Sequence, residues 1–103
     1  MEYIYDLLLT LGLPVAYSHF AEGEMPVSPY IVYYETGTDN FAADGKVYHK
    51  IETVAVELYT ETKSPATEAA LETVFDNAEV CWQSSETWID SEKLYEVRYT
   101  IEV

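Results

Sequence analysis

LGLPVAYSHFAEGEMPVSPYIVYYE, residues Leu11 to Glu35, is the stretch whose reading decides the fold. Glycine loosens a helical backbone, and proline lacks the amide proton and collides with the preceding turn, so a helix arriving from the N-terminus stops at Gly12 and Pro14. Pro26 and Pro29 push the residues before them, Met25 and Ser28, towards extended conformations. The chain therefore reaches Tyr30 stretched for sheet pairing. From Tyr30 to Tyr34 the apolar run is nearly unbroken, which suits a strand covered on both faces, or one covered by helices on one face and by a partner on the other.

Outward from this stretch, the N-terminal segment places Tyr3, Ile4, Leu7, Leu8 and Leu11 at helical spacing, an apolar stripe that lies on a core. On the other side, Thr36 to Gly45 is rich in small and turn-forming residues and ends in Asp44-Gly45, a hairpin dipeptide, so it predicts a long loop or a bent hairpin tip. A strand follows from Lys46 towards Tyr59, with a break expected near Lys50. Val54, Val56 and Leu58 fall on one face, and Ala55, Glu57 and Tyr59 on the other. Ser64-Pro65 opens a second helix, since serine caps free amide protons and proline is pre-set for the first helical position. That helix runs to about Asn77, with Leu71, Val74, Phe75 and Ala78 inward and Glu68, Glu72, Thr73 and Asp76 towards water. Val80 to Ile89 reads as a strand, Asp90-Ser91 as a turn, and the last strand alternates Tyr95, Val97, Tyr99, Ile101 and Val103 against Glu96, Arg98, Thr100 and Glu102. The expected fold is one α+β domain over residues 1–103: a single mixed, mainly antiparallel sheet of four or five strands with two helices on one face, in the order helix, two or three strands, helix, two strands.

Composition narrows the function classes. The chain has 103 residues, 49% of them hydrophobic, enough for one domain with its own core. Nineteen acidic against five basic residues give a formal charge of -14, which repels phosphate backbones and anionic membranes. Sequence-reading nucleic-acid binding and membrane docking are thus disfavoured. No apolar run approaches the ~20 residues of a spanning helix, and no secretory signal is visible, so synthesis in a cytoplasm is expected. Cys81 is the only cysteine, and its neighbours Val80 and Trp82 predict a buried, inert thiol.

A search for chemistry turns up little. No pair of carboxylates is singled out by spacing, His19 and His49 lie in no metal-binding pair, and Asp39, Asn40, Asp44 and Gly45 do not fit a calcium loop. Ser18-His19 adjacency does not make a nucleophile and its base, and neither a nucleophile elbow nor a phosphate-cradling glycine loop is present. The expectation is a protein that is not an enzyme and takes no metal or cofactor. Tyrosine is what stands out: there are ten, mostly at predicted strand positions. Strand preference accounts for part of them. The rest point to oligomerisation, because tyrosine offers an interface a large apolar body with a polar tip. The candidate oligomer interface is Tyr30, Tyr33, Tyr34, Phe41 and Tyr59. Phe41 has an alternative place, tucked against its own sheet.

The opening helix, the phrase LGLPVAYSHF, the strand PYIVYYE, and DGKVYHKIETVAVELYTETKSPATEAALE from Asp44 to Glu72 together resemble small tail-terminator and head–tail joining proteins of long-tailed bacteriophages and prophages. The resemblance spans most of the chain but rests on segments, so no functional residue is carried over. It implies a mixed α/β subunit that joins copies of itself into a ring, expected to be a hexamer, at the head-proximal end of the tail tube. Such a ring stops tube growth and offers the docking surface for the filled head. Its partners would be the tail tube protein and the head–tail connector, and its place the virion, after assembly in the bacterial host cytoplasm. The acidic balance accords with a ring through which DNA must slide without being gripped. A reading from another class is a small acidic binding or inhibitor module, a nucleic-acid mimic or partner of a basic protein, with its acids on one continuous face.

Overall fold

A computed structural model of the chain describes residues 2–20, 26–43 and 46–102, with the backbone alone for Glu2, 38–43 and 46–52. The first helix, α1 (Glu2–Leu9), ends as its glycine requires: the Gly12 amide donates to the Leu9 carbonyl at 3.1 Å, and Gly12 itself adopts φ +77°. Ile4 and Leu8 are fully buried and Leu7 and Leu11 pack partly against the core, but Tyr3 leaves the expected stripe and is 57% exposed. A helix this short covers the sheet with one narrow face, and Tyr3 stands a full 100° step away from Ile4.

Beyond Pro14 comes a strand the sequence reading did not separate from the crossing, β1 (Val15–Tyr17). It pairs parallel with β2 (Tyr30–Ala43), Val15 opposite Ile31 and Tyr17 opposite Tyr33, and the Pro14 carbonyl accepts the Ile31 amide at 2.9 Å. Of the two forms expected for residues 36–43, a long loop or a bent hairpin tip, the chain takes the hairpin: they continue β2, paired antiparallel with β3 (Lys46–Thr60) as far as Ala43 opposite Lys46. Small residues do not forbid a strand where backbone pairing satisfies every second amide and carbonyl. Asp44-Gly45 lies outside the described residues. β3 runs on through Lys50 without the break expected there, but its register with β2 shifts nearby, between Phe41 and Ala42 where the pairing passes over Tyr48, and again between Glu35 and Gly37.

Helix α2 (Pro65–Asn77) keeps its predicted bounds: Ser64 Oγ accepts the Thr67 amide at 3.4 Å, and Pro65 opens the first turn. Leu71 and Phe75 are fully buried. Its acidic side does not simply face water, as expected. Glu72 accepts a 2.7 Å hydrogen bond from the Tyr99 hydroxyl, Asp76 accepts one from Trp82 Nε1 at 2.9 Å, and Glu68 pairs with Lys63 at 2.8 Å. Two antiparallel strands complete the chain, β4 (Cys81–Ile89) and β5 (Leu94–Glu102). Cys81 is exposed, contrary to expectation. Trp82 turns towards Tyr99 on the helix side, and strand alternation sends the preceding thiol to the opposite face.

The fold is α+β, with both helices on a single mixed sheet of five strands in the order β1-β2-β3-β5-β4. The antiparallel registers align Ile31 with Leu58 and Val97, and Tyr33 with Val56 and Tyr99. On the side that faces α1 and α2 these residues join Val54 and Ile101, and Ile4, Leu8, Leu71 and Phe75 close over them to form the core. No side chain lies within 4 Å of a Cβ placed on Gly12, so Gly12→Ala tests the backbone term alone. It should lower unfolding stability in urea by about 1–2 kcal/mol, the cost of a left-handed conformation for an L-residue.

Candidate functional site

Among the described residues, the opposite face of the sheet carries no helix. Its rows follow from the same registers: Tyr30, Tyr59 and Glu96 in one, Val32, Glu57 and Arg98 in the next, Tyr34, Ala55 and Thr100 in a third. Glu57, at the centre, accepts hydrogen bonds from the hydroxyls of Tyr34 at 2.7 Å and Tyr59 at 2.8 Å. The Tyr59 hydroxyl also lies 2.9 Å from Glu96 Oε2. A phenol has one proton, so Tyr59 serves the two carboxylates by sharing or in turn. Burial raises the Tyr59 phenol far above its ordinary value, and the hydrogen bonds to Glu57 and Glu96 raise it further. Tyr34 is raised by burial and by Glu57, against a lowering influence from Arg98. Both phenols are therefore held as neutral donors, each bond to a carboxylate worth about 1.5–3 kcal/mol where it is shielded from water. The Arg98 guanidinium lies over the Tyr34 ring, 6.0 Å from its centroid, and its buried Nε has no hydrogen-bond partner among the described residues.

Tyr30 is almost covered, stacked on Tyr59 with ring centroids 5.0 Å apart and met edge-on by Phe20 at 5.5 Å. Tyr33 stands on the helix side, buried beside Tyr5 and Tyr17. Of the five candidate interface residues, the structure thus gathers Tyr30, Tyr34 and Tyr59 on the open face, sets Tyr33 behind them in the core, and places Phe41 in β2 opposite His49, its side chain outside the described residues. The reading missed Glu57, Glu96 and Arg98 as members of the network. Alternation within β5 groups Glu96 with Arg98, but only cross-strand register brings them to Tyr59 and Tyr34. It also missed an open cleft of about 580 Å³ at one end of the sheet, bounded by Val27, Tyr30, Glu61, Trp88 and Leu94, where Val27 is 82% exposed.

The second feature is the distal part of the β2–β3 hairpin. β1 ends opposite Tyr33, and β5 ends with Glu102 opposite Thr53. The pairs from Thr38–Glu52 to Ala43–Lys46 therefore continue as a two-stranded ribbon with no third strand among the described residues. The molecule is correspondingly long, 50 × 29 × 24 Å. Two-stranded ribbons are marginal in water by themselves and gain stability from packing against something else. Among the described residues no three His, Cys, Asp or Glu side chains are grouped to hold a metal ion, and the exposed His19 contacts Ser18 Oγ at 3.3 Å. The loop acids weighed for calcium have side chains outside the described residues. No protein-family model matches the chain, and a search of curated proteins yields no match.

The raised phenols set a pH dependence. On unfolding, Tyr59 and Tyr99 return to about 10.0, so above that pH the unfolded chain holds fewer protons than the folded one. The stability these phenols contribute should be complete below about pH 10 and fall as pH rises beyond it, with the phenolate absorbance of the buried tyrosines at 295 nm appearing together with loss of near-ultraviolet circular dichroism. Tyr59→Phe should cost about 1–3 kcal/mol at neutral pH and make the alkaline fall shallower.

Proposed function

We propose that this chain is a structural virion protein, a tail terminator or closely related head–tail completion subunit, that assembles as a homomeric ring at the head-proximal end of a phage tail tube. The observation that carries the reading is the ribbon of residues 38–43 and 46–52, which leaves the body of the subunit with both its edges unpaired among the described residues. An arm of this kind is suited to lie on a neighbouring copy, where its backbone edges and faces find partners that its own sheet does not supply. The open face adds a surface whose polar groups are fixed before contact, which lowers the ordering entropy of association. The chain then acts through shape and contact and not through catalysis. Its partners are copies of itself, six by the resemblance, together with the tail tube protein and the head–tail connector.

Charge fits the same role. A net -14 keeps DNA from being held as it passes a ring. No observation favours the acidic-mimic reading, which needs its carboxylates on one continuous face. Among the described residues the exposed acids are spread over α1 (Asp6), β2 (Glu35), the β3–α2 connection (Glu61), α2 and the residues after it (Asp76, Glu79), β4 (Glu86), the β4–β5 turn (Asp90, Glu92) and the end of β5 (Glu102).

Deleting the gene from the prophage should give tails of abnormal length and heads without tails in electron micrographs. Normal tail lengths with intact head attachment would overturn the assignment. Replacing residues 38–51 with a two-residue turn should leave a folded subunit, judged by far-ultraviolet circular dichroism. It should abolish the ring-sized species seen by light scattering or on purified tail tubes.

A further inference from the structure

β4 is the outermost strand on the α2 side of the sheet, and its outward backbone edge is unpaired among the described residues. Edges of this length are commonly blunted by lysine, proline, a bulge or brevity. β1, at the other side of the sheet, is only three residues long. β4 runs nine residues in unbroken register with β5, and its sequence, CWQSSETWI, contains no proline, no lysine and one charge, Glu86. That charge is already engaged by Lys63.

The strand is close to a palindrome about Ser85. We infer that β4 pairs antiparallel with β4 of a second copy of this chain, about a two-fold axis through Ser85, to make one continuous sheet across two subunits. Cross-strand partners must share a face, so the pairing sums to an even number and three central registers compete. Centring on Glu86 sets like charges directly opposite each other, which is destabilising. Centring on Ser84 sets Glu86 against Trp82 and leaves part of the strand unmatched. Centring on Ser85 uses all nine residues and opposes Trp82 to Trp88, Cys81 to Ile89, Gln83 to Thr87 and Ser84 to Glu86. Apolar then meets apolar at both ends and polar meets polar between them.

Trp88 has the exposure such a match needs. It is 45% exposed, and Tyr95 is its one ring contact among the described residues, at 4.8 Å, whereas Trp82 is anchored by Asp76 and Tyr99. The two-fold pair buries the first tryptophan against the second. Such a contact is isologous and closes on itself, so it does not build a ring and does not depend on one. It would join two subunits, whether free or in separate rings, and it leaves the hairpin ribbon available. Because each chain carries -14, the pair should tighten as salt screens their repulsion, the opposite of a charge-driven complex.

Disulfide trapping in the full chain tests the register. With Cys81→Ser as background, Ser85→Cys should give a covalent dimer under mild oxidation. Gln83→Cys in the same background should not, because the two copies of that position lie four residues apart along the paired strands, roughly 13 Å. Ser85→Glu separates association from folding: the new carboxylate falls opposite Arg98 within its own subunit but opposite its own copy across the axis. It should leave the melting temperature unchanged or raised while weakening the dimer about tenfold or more in sedimentation equilibrium. Failure of Ser85→Cys to cross-link, cross-linking through position 83 instead, or a dimer undiminished by Ser85→Glu would each overturn the inference.

Discussion

The antiparallel register of β2, β3 and β5 is the constraint on which the rest of this protein depends. It sets Val54, Val56 and Leu58 beneath the helices and, by the same alternation, aligns Tyr30 with Tyr59 and Glu96, and Glu57 with Arg98, on the face the helices leave open. A slip of one residue would send the core face to solvent and dismantle the tyrosine network together. Folding and the construction of the candidate interface are therefore a single event. Ala55 shows how closely the two sides are coupled: it is fully buried although it lies on the face away from α1 and α2, in a row with Tyr34 and Thr100.

The excess of tyrosine and the excess of acid, which look unrelated in the composition, are partners in the structure. With nineteen carboxylates and five basic residues, ion pairing cannot satisfy most of the acids. Hydroxyl and indole donors take that place: Tyr99 to Glu72, Trp82 to Asp76, Tyr34 and Tyr59 to Glu57, Tyr59 to Glu96. These contacts supply direction and partial charge without bringing in a cation, and they hold the phenols neutral. They also tie α2 to the sheet through polar bonds on the margin of an apolar contact. A chain built this way keeps a strong negative field at long range while its surface is locally satisfied.

Both helices, the stop of the first and the Ser64 cap of the second, the core alternation of β3 and β5, and the α+β class are legible in the sequence because each rests on local physics. Gly12 ends α1, Ser64-Pro65 starts α2, and periods of two or 3.6 residues mark the buried faces. Less of the candidate site is legible. Tyr30, Tyr34 and Tyr59 stand out as strand tyrosines, but nothing local distinguishes them from Tyr33, one position away and turned into the core. Glu57, Glu96 and Arg98 look like ordinary solvent-facing charges until the strands are paired.

The sequence by itself determined where the backbone turns, caps and alternates, since those properties depend on residues within a few positions of each other. Tertiary structure decided that residues 36–43 continue as strand, that Val15–Tyr17 joins the sheet parallel to β2, that Cys81 is exposed, and that carboxylates on α2 bond to the sheet. Each of those outcomes turns on which strand lies beside which, and in what register, a long-range choice made by the summed packing of the whole core. The edge of β4 shows both sources at work. Its near-palindromic pattern is written in nine consecutive residues, but only the strand order leaves one edge of that pattern unpaired among the described residues.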